Sequence, residues 1–423
     1  MKASHSILRV LQQPKMAALL FLGFSSGLPL YLASKAPLQA WLSQEGLGLE
    51  AIAAVSLFGL PYSLKFLWSP FLDRYIPPFL GRRRGWLVIT QVALFIAVAA
   101  MALQHPRAAL QLLGINALVI AFLSASQDIV LDAYRTDILA EPEMGMGASL
   151  FLLGYRLAIL VTGSLSLALA DWLPWPMVYF LMALLMLVGL VTTFFAPDPP
   201  HNDQPPQSLA EAVQLPFWDF FQRNGVTRGL LILLFIVIYR YGDALVKNLS
   251  TPFLLDKGLG FTQTDIAFPT ALGIVAVIVG TLAGGAVMTK LGINRSLWIF
   301  AGLQALGNLL YFALALVGKN FGLMLAAINA ENFCAGLESA AFVAFLMSLC
   351  NHKFSATQYA LLSSLVAFSR DIMVAPSGSW ATSIGWPNFF LATAVLALPG
   401  LLLLPFFAPW NAKTEPDMPR PGL

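Results

Sequence analysis

The sequence predicts an all-α polytopic membrane protein, with twelve transmembrane helices in two pseudo-symmetric bundles of six. Three observations carry that expectation. The chain of 423 residues is 58% hydrophobic and 11% charged, with a mean hydropathy of +0.76, whereas a soluble chain carries about a quarter charged residues. Apolar stretches long enough to cross a hydrocarbon layer of about 30 Å recur along it. One proline-rich segment, residues 197–226, interrupts them halfway.

Residues 1–15 form a polar arm carrying Lys2, Arg9 and Lys15. The first apolar stretch lacks a small-residue cleavage site after a short core, so it is expected to stay as span 1 (16–42). Gly23, Gly27 and Pro29 are expected to break it, allowing close packing or local unwinding beside a cavity, and it ends in Lys35, Gln39 and Trp41. Span 2 (50–70) leads into the loop DRYIPPFLGRRRGW, Asp73 to Trp86. Spans 3 to 6 follow at 86–104, 109–138, 146–170 and 175–196, closing a first bundle over 16–196. In the linker 197–226, five prolines precede Ser208. Ser208 and Glu211 form a capping box before AVQLPFWDFF, which predicts a short amphipathic helix on the membrane surface. Spans 7 to 12 occupy 227–256, 264–289, 295–317, 321–351, 356–381 and 386–409, a second bundle over 227–409 ahead of a proline-rich tail, 410–423.

Orientation is read from lysine and arginine. Fourteen of the 24 fall on the side of the termini, three (Arg107, Lys257 and Lys319) on the other, and seven within spans. Both termini are therefore expected in the cytoplasm. The net charge of +3 comes mainly from these loops and does not point to nucleic acid. The two cysteines, Cys334 and Cys350, lie in one span. Their separation along a helix, about 24 Å, excludes a disulfide between them.

The halves echo each other. FLSASQDIVLDAYRTDIL (122–139) aligns without gaps on FCAGLESAAFVAFLMSLC (333–350), setting Gln127 over Glu338 and Asp128 over Ser339. Arg156 in span 5 falls opposite Arg370 in span 11, and the loop after span 2 matches TKLGINRS (289–296) after span 8. Recurrence at a common offset predicts two parallel repeats, with the site between them near the bilayer midplane.

The stretch 122–139 carries Asp128, Asp132, Arg135 and Asp137 inside an apolar span. Spacings of i, i+4 and i+7 put Asp128, Asp132 and Arg135 on one helical face. Each ionisable group costs roughly 2.5–3.5 kcal/mol at the centre of an inserted helix, so this face is expected to meet protein or water, not lipid. Three acids against one base leave a surplus of carboxylates. A carboxylate without a partner in a membrane can take up a proton.

The loop Asp73–Arg74…Gly81–Arg82–Arg83–Arg84, with its insertion YIPPFL, resembles the signature between spans 2 and 3 of the major facilitator superfamily. Five strings, FSSGLPLYL (24–32), KFLWSPFLDRYIPPFLGRRRGW (65–86), SASQDIVLDAYRTD (124–137), LGYRLAILVTG (153–163) and LCNHKFSATQYALLSSL (349–365), resemble the anhydromuropeptide permeases of Gram-negative bacteria, the AmpG type. That resemblance implies twelve core helices and import of N-acetylglucosaminyl-anhydro-N-acetylmuramyl peptides across the inner membrane for cell-wall recycling, driven by the proton-motive force. It also implies a minimal version, without the further C-terminal hydrophobic segments of many members. A remoter resemblance is to acetyl-CoA transporters.

The implied cargo has carboxylates and sugar rings. Lys35, Arg156, Arg240, Lys247 and Arg370 are the cations available for the carboxylates, arginine gripping them bidentately. The alternative for each is internal pairing with Asp128, Asp132, Asp243 or Asp371. Arg240, Asp243 and Lys247 face one way in span 7 and form the expected cargo face of the second half. Gln127 and Gln39 suit amides and hydroxyls, and Trp41, Tyr155, Tyr239 and Tyr241 suit stacking on sugars, the alternative for each being an aromatic that marks an interface or fills space. Asp128 is expected to carry the coupling proton, with Asp132, Glu338 and Asp243 next; Glu331 faces the same way as Glu338. Lys65, Asp73, Arg74, Arg82, Arg83 and Arg84 are expected to brace a cytoplasmic gate. His5 and His352 fall in polar loops and are expected to be solvated.

No GxxxxGK(S/T), HExxH, paired metal-ligand spacing or nucleophile elbow occurs. Neither enzyme activity nor a metal or cofactor is expected; the energy source is the proton gradient and the molecule a monomer in the bilayer. A transport-inactive receptor would not need the buried charge. An exporter of amphipathic compounds would favour a cavity with fewer fixed cations than Lys35, Arg156, Arg240, Lys247 and Arg370 supply.

Overall fold

The computed structural model describes residues 12–47, 58–199, 205–255 and 259–410. The expectations for Lys2, His5, Arg9, the start of span 2, Lys257 and the tail with Lys413 and Arg420 lie outside the described residues, as does the side chain of Asp371. Among the described residues every regular element is helical.

Among the described residues, nine helices are long and apolar enough to cross a membrane. Eight match single spans: Pro14–Gln44 (span 1), Gly81–Met101 (3), Leu110–Ile138 (4), Glu141–Ala170 (5), Trp175–Phe195 (6), Val226–Leu254 (7), Phe321–Leu349 (10) and Trp386–Phe407 (12). The ninth, Thr264–Val317, has 54 residues. At 1.5 Å per residue it would be about 80 Å long, far more than one crossing. Gly292 divides it, with φ 78° and ψ 168°, a conformation that favours glycine. It therefore supplies spans 8 and 9. Span 2 contributes helical turns over 60–74. Span 11 runs over 355–384 with a π-helical turn at Ser369–Met373. Span 5 carries its own π-helical turn at Val161–Leu165.

The break in span 1 falls later than expected. Its helix continues through Gly23, Gly27 and Pro29 to Ser34, then opens at Lys35 (φ −133°, ψ −157°) and resumes as Ala36–Gln44. Pro37, near the start of that second helix, explains the position: a proline ring clashes with the carbonyl four residues back. The upstream glycines instead permit close packing. A Cβ on Gly23 would collide with the Phe151 carbonyl, and one on Gly154 with that of Leu20, so spans 1 and 5 meet backbone to backbone. In span 7, helix Val226–Ile238 stops and Tyr241–Leu254 resumes, leaving Arg240 between them (φ −105°, ψ 11°).

Spans 4 and 10 are each 29 residues long. The alignment of Phe122 on Phe333 carries Leu110 onto Phe321 and Ile138 onto Leu349. The repeat read from sequence is thus one of helix ends as well. The linker helix Leu209–Asn224 is capped by Ser208, whose Oγ accepts from Glu211 N at 3.1 Å, while Glu211 accepts from Gln207 N at 2.9 Å. It buries Pro216 and Phe220 and exposes Phe217 and Trp218.

The apolar core has three parts. One lies at the end of the bundle that bears the Arg82–Arg84 loop, here the basic end, and draws on both halves: Leu22, Tyr134 and Phe151 with Phe235, Phe342 and Tyr359. At the far end there are two separate cores. One contains Leu32, Trp41 and Tyr179 of the first half, the other Phe253, Tyr311 and Phe390 of the second. The halves are packed together at the basic end and packed separately at the other.

Candidate functional site

Two groups of buried charges face the seam. In the first half, Lys65 Nζ lies 2.8 Å from Asp128 Oδ2 and 3.2 Å from Asp132 Oδ2. Arg135 Nη2 donates to Asp132 Oδ1 at 2.6 Å and to the hydroxyl of Tyr359, on span 11 of the other half, at 2.6 Å. Ser26 donates to Asp128 Oδ1 at 3.0 Å. The Arg135 guanidinium also lies over the rings of Phe151 and Tyr359, at 4.5 and 5.1 Å. Two acids meet two bases here, so the surplus counted along 122–139 disappears once span 2 is folded against span 4. Asp137, the third acid of that stretch, belongs to a different group. Lys65, expected at the gate, lies in the 3₁₀ turn Lys65–Leu67 and pairs with Asp128 and Asp132 of span 4, apart from the Arg83–Asp73 group.

In the second half, Asp243 Oδ2 accepts from Arg240 at 3.2 Å and Lys247 at 3.1 Å, and Oδ1 accepts from Gln304 at 3.3 Å. Arg240 Nε stands 3.4 Å from Glu338 Oε2, and Lys247 Nζ 3.7 Å from Glu331 Oε1. The three carboxylate side chains are 2–4% exposed, those of Arg240 and Lys247 26% and 44%. The acids thus form the floor and the cations the mouth. A cavity of about 450 Å³ opens over them, lined also by Asn248, Ser369 and Arg370. Arg156, half-buried on span 5, lies within electrostatic reach of the Arg240 guanidinium of the other half, and Tyr155 within reach of Asp128 and Arg370. Two such guanidiniums repel each other, and an anion placed between them relieves that repulsion.

At the basic end Arg83 donates to Asp137 at 2.7 Å, to Asp73 at 3.0 Å and to Ser355 Oγ at 2.7 Å. Asp73 Oδ2 accepts from the amide and hydroxyl of Thr357, both at 2.8 Å. Arg82 donates to the carbonyls of His352 and Lys353, both at 3.3 Å. These bonds tie the first half to the start of span 11. His352, expected in solvent, stands with Nδ1 3.5 Å from Asp137 Oδ1.

Not every candidate reaches the seam. Arg84 anchors the first half to itself, through the carbonyls of Thr193 and Phe194 and through Asp198. Arg74 stacks over Tyr75 at 5.5 Å. Lys35 is exposed at the break in span 1 and Gln39 half-buried beyond it, both away from the two charge groups. Gln127 is buried against span 1, with Nε2 3.5 Å from Ser25 Oγ. Trp41 packs on Trp175 and Tyr179, and Tyr239 stacks on Phe342, so both are core. Tyr241 likewise packs in the second-half core and donates to the Met373 carbonyl at 3.0 Å. Sequence reasoning missed Ser26, Gln304, Ser355, Thr357 and Tyr359. Each is an uncharged polar residue, marked as a partner only by the charge that folding brings to it.

Comparison with known proteins agrees with this architecture. The Major Facilitator Superfamily model matches residues 16–372. The anhydromuropeptide permease of Escherichia coli (strain K12) is 48% identical over 404 residues, covering 95% of this chain and 81% of its own. A Haemophilus influenzae protein is 40% identical over 422 residues, covering 97% of this chain and 99% of that one. Among solved structures, the proton:xylose symporter XylE matches with a TM-score of 0.69 over 94% of this chain and 95% of that one, at 11% identity. The human organic anion transporter MFSD10 matches at 0.66 over 95% and 100%, at 16% identity. At such identities those two likenesses speak for the fold alone. Twelve helices in two six-helix bundles, with charge buried along the seam between them, are those of a membrane transporter. The chain belongs to the Major Facilitator Superfamily and, within it, to the family of the anhydromuropeptide permeases.

Proposed function

We propose that the protein imports N-acetylglucosaminyl-1,6-anhydro-N-acetylmuramyl peptides into the cytoplasm for peptidoglycan recycling, as a proton-driven monomer in the inner membrane of a Gram-negative bacterium. The observation that carries this reading is the set of cations at the seam. Arg156 comes from one half and Arg240, Lys247 and Arg370 from the other, in a chain 48% identical to a protein named for such a cargo. The peptide carboxylates of a muropeptide suit guanidinium forks, and Tyr155 offers its ring to the sugars.

The excess of lysine and arginine at the basic end supports a cytoplasmic location for that end and for both termini. The separately packed far end then opens to the periplasm, where the cargo is released from the wall. The cargo enters the seam and bridges the cations of both halves. The bonds of Arg83 and Asp73 to Ser355 and Thr357 give way as the basic end opens, and the cargo leaves into the cytoplasm. Buried acids beside these cations offer a proton a place to ride.

Uptake of labelled anhydromuropeptide into right-side-out vesicles, with and without an imposed pH gradient, tests this reading. Accumulation that requires an acidic exterior and collapses with a protonophore is expected. Equal uptake with and without the protein overturns it.

A further inference from the structure

The two charge groups differ in balance. In the first half Asp128 and Asp132 are matched by Lys65 and Arg135, with Ser26 completing Asp128. In the second, Asp243, Glu331 and Glu338 share Arg240 and Lys247. Asp243 takes the well-formed bonds, from Arg240, Lys247 and Gln304. Glu338 keeps only the 3.4 Å approach of Arg240 Nε, and neither that nitrogen nor Glu338 Oε2 has a hydrogen-bond partner among the described residues. Glu338 is 1% exposed and sits on span 10 at the position that the repeat pairs with Gln127.

We propose that Glu338 carries the coupling proton, and that cargo and proton are linked because the cargo's carboxylate and Glu338 compete for Arg240. This rests on the reading that the cargo is an anion imported with protons. Arg240 stands at the break in span 7 and lines the cavity, with Glu338 3.4 Å from its Nε and Arg156 within electrostatic reach. When a cargo carboxylate arrives between Arg156 and Arg240, Arg240 turns outward to it. Glu338 is then left without a counter-charge in an apolar place, the costliest state for a carboxylate.

It takes one proton from the water of the cavity and becomes a neutral acid; no other bond is made or broken. After the halves rearrange and the cargo departs, Arg240 swings back, the ion pair re-forms, and the proton leaves to the cytoplasm. The other groups around Glu338 fit this division of labour. Lys247 stays on Asp243 and stands 3.7 Å from Glu331, whose Oε1 also lacks a hydrogen-bond partner among the described residues but is not beside Arg240. Tyr239 donates to the Leu297 carbonyl, and Cys334 lies buried on the same helix. Arg370 lines the same cavity as Arg240.

The test uses the full-length protein in nanodiscs with purified N-acetylglucosaminyl-anhydro-N-acetylmuramyl tetrapeptide. Proton uptake on binding is followed with a pH indicator in weak buffer, and affinity is measured against pH. In the wild type, wherever about one proton is taken up per cargo bound, affinity falls about tenfold per unit rise in pH, as linkage requires. In Glu338→Gln the uptake disappears and affinity no longer depends on pH. Proton uptake that persists in Glu338→Gln overturns the assignment. Where that variant does not fold, Glu338→Asp, which keeps a titratable group, is expected to shift the pH at which affinity begins to fall; an unmoved profile overturns the assignment equally. Wild-type protein that binds the tetrapeptide without taking up a proton refutes this inference alone, whereas protein that binds none refutes the cargo reading beneath it.

Discussion

At the scale of the residue, Asp128 and Asp132 look alike in sequence and differ in the fold. Asp132 accepts from both Lys65 and Arg135, and its side chain is 7% exposed; Asp128 pairs with Lys65 alone among the cations and is 17% exposed. Removing one partner of a buried ionic group costs on the order of 3–5 kcal/mol. Asp132→Ala, which takes the carboxylate from buried Arg135 and leaves Lys65 with Asp128, should therefore lower the thermal unfolding temperature in detergent clearly more than Asp128→Ala does, which leaves both cations on Asp132. A larger loss for Asp128→Ala would show that Asp128 is the structural acid. That Asp132 is an ion-paired residue was legible from its distance to Arg135 along the helix. The role of Lys65 was not, because it is fixed by span 4, more than sixty residues further on. A charge shows in a sequence, but its partner shows only after folding.

Elements were easier to read than pairings. Hydropathy marks the spans because hydrocarbon accepts little else, and the capped start of the linker helix followed from Ser208 and Glu211. Helix breaks were harder. Glycines in span 1 could signal bending or close contact, and only the neighbouring helix decides between them. Gly23 is there for contact: a Cβ at that position would meet the Phe151 carbonyl. Gly23→Val is expected to force spans 1 and 5 apart and to lower both the folded yield and the unfolding temperature, while Gly302→Ala, where a Cβ meets nothing within 4 Å, should leave both unchanged. Equal behaviour of the two variants in size-exclusion and thermal melts would remove the packing argument. The break at Arg240 in span 7 and the π-helical turn of span 11 contain no glycine or proline to announce them, and the π-helical turn of span 5 contains only Gly163. They accompany buried polar groups at the seam.

For the whole molecule, the arrangement of cores is the informative feature. One shared core at the basic end and two separate cores at the far end make a clamp that is shut on one side. The six-and-six division and the repeat behind this clamp could be read from the alignment of 122–139 on 333–350. Which side is shut could not, because both states of an alternating transporter share one sequence. The central claim is that an anionic cargo is held in this clamp by cations from both halves. The most direct test is calorimetric binding of the anionic muropeptide, and of an uncharged disaccharide analogue, to wild type, Arg156→Gln and Arg240→Gln. A hydrogen bond to a charged group contributes about 1.5–3 kcal/mol, so each substitution should weaken muropeptide binding by roughly tenfold or more and affect the uncharged analogue far less. Equal losses for both ligands in correctly folded protein would contradict the account.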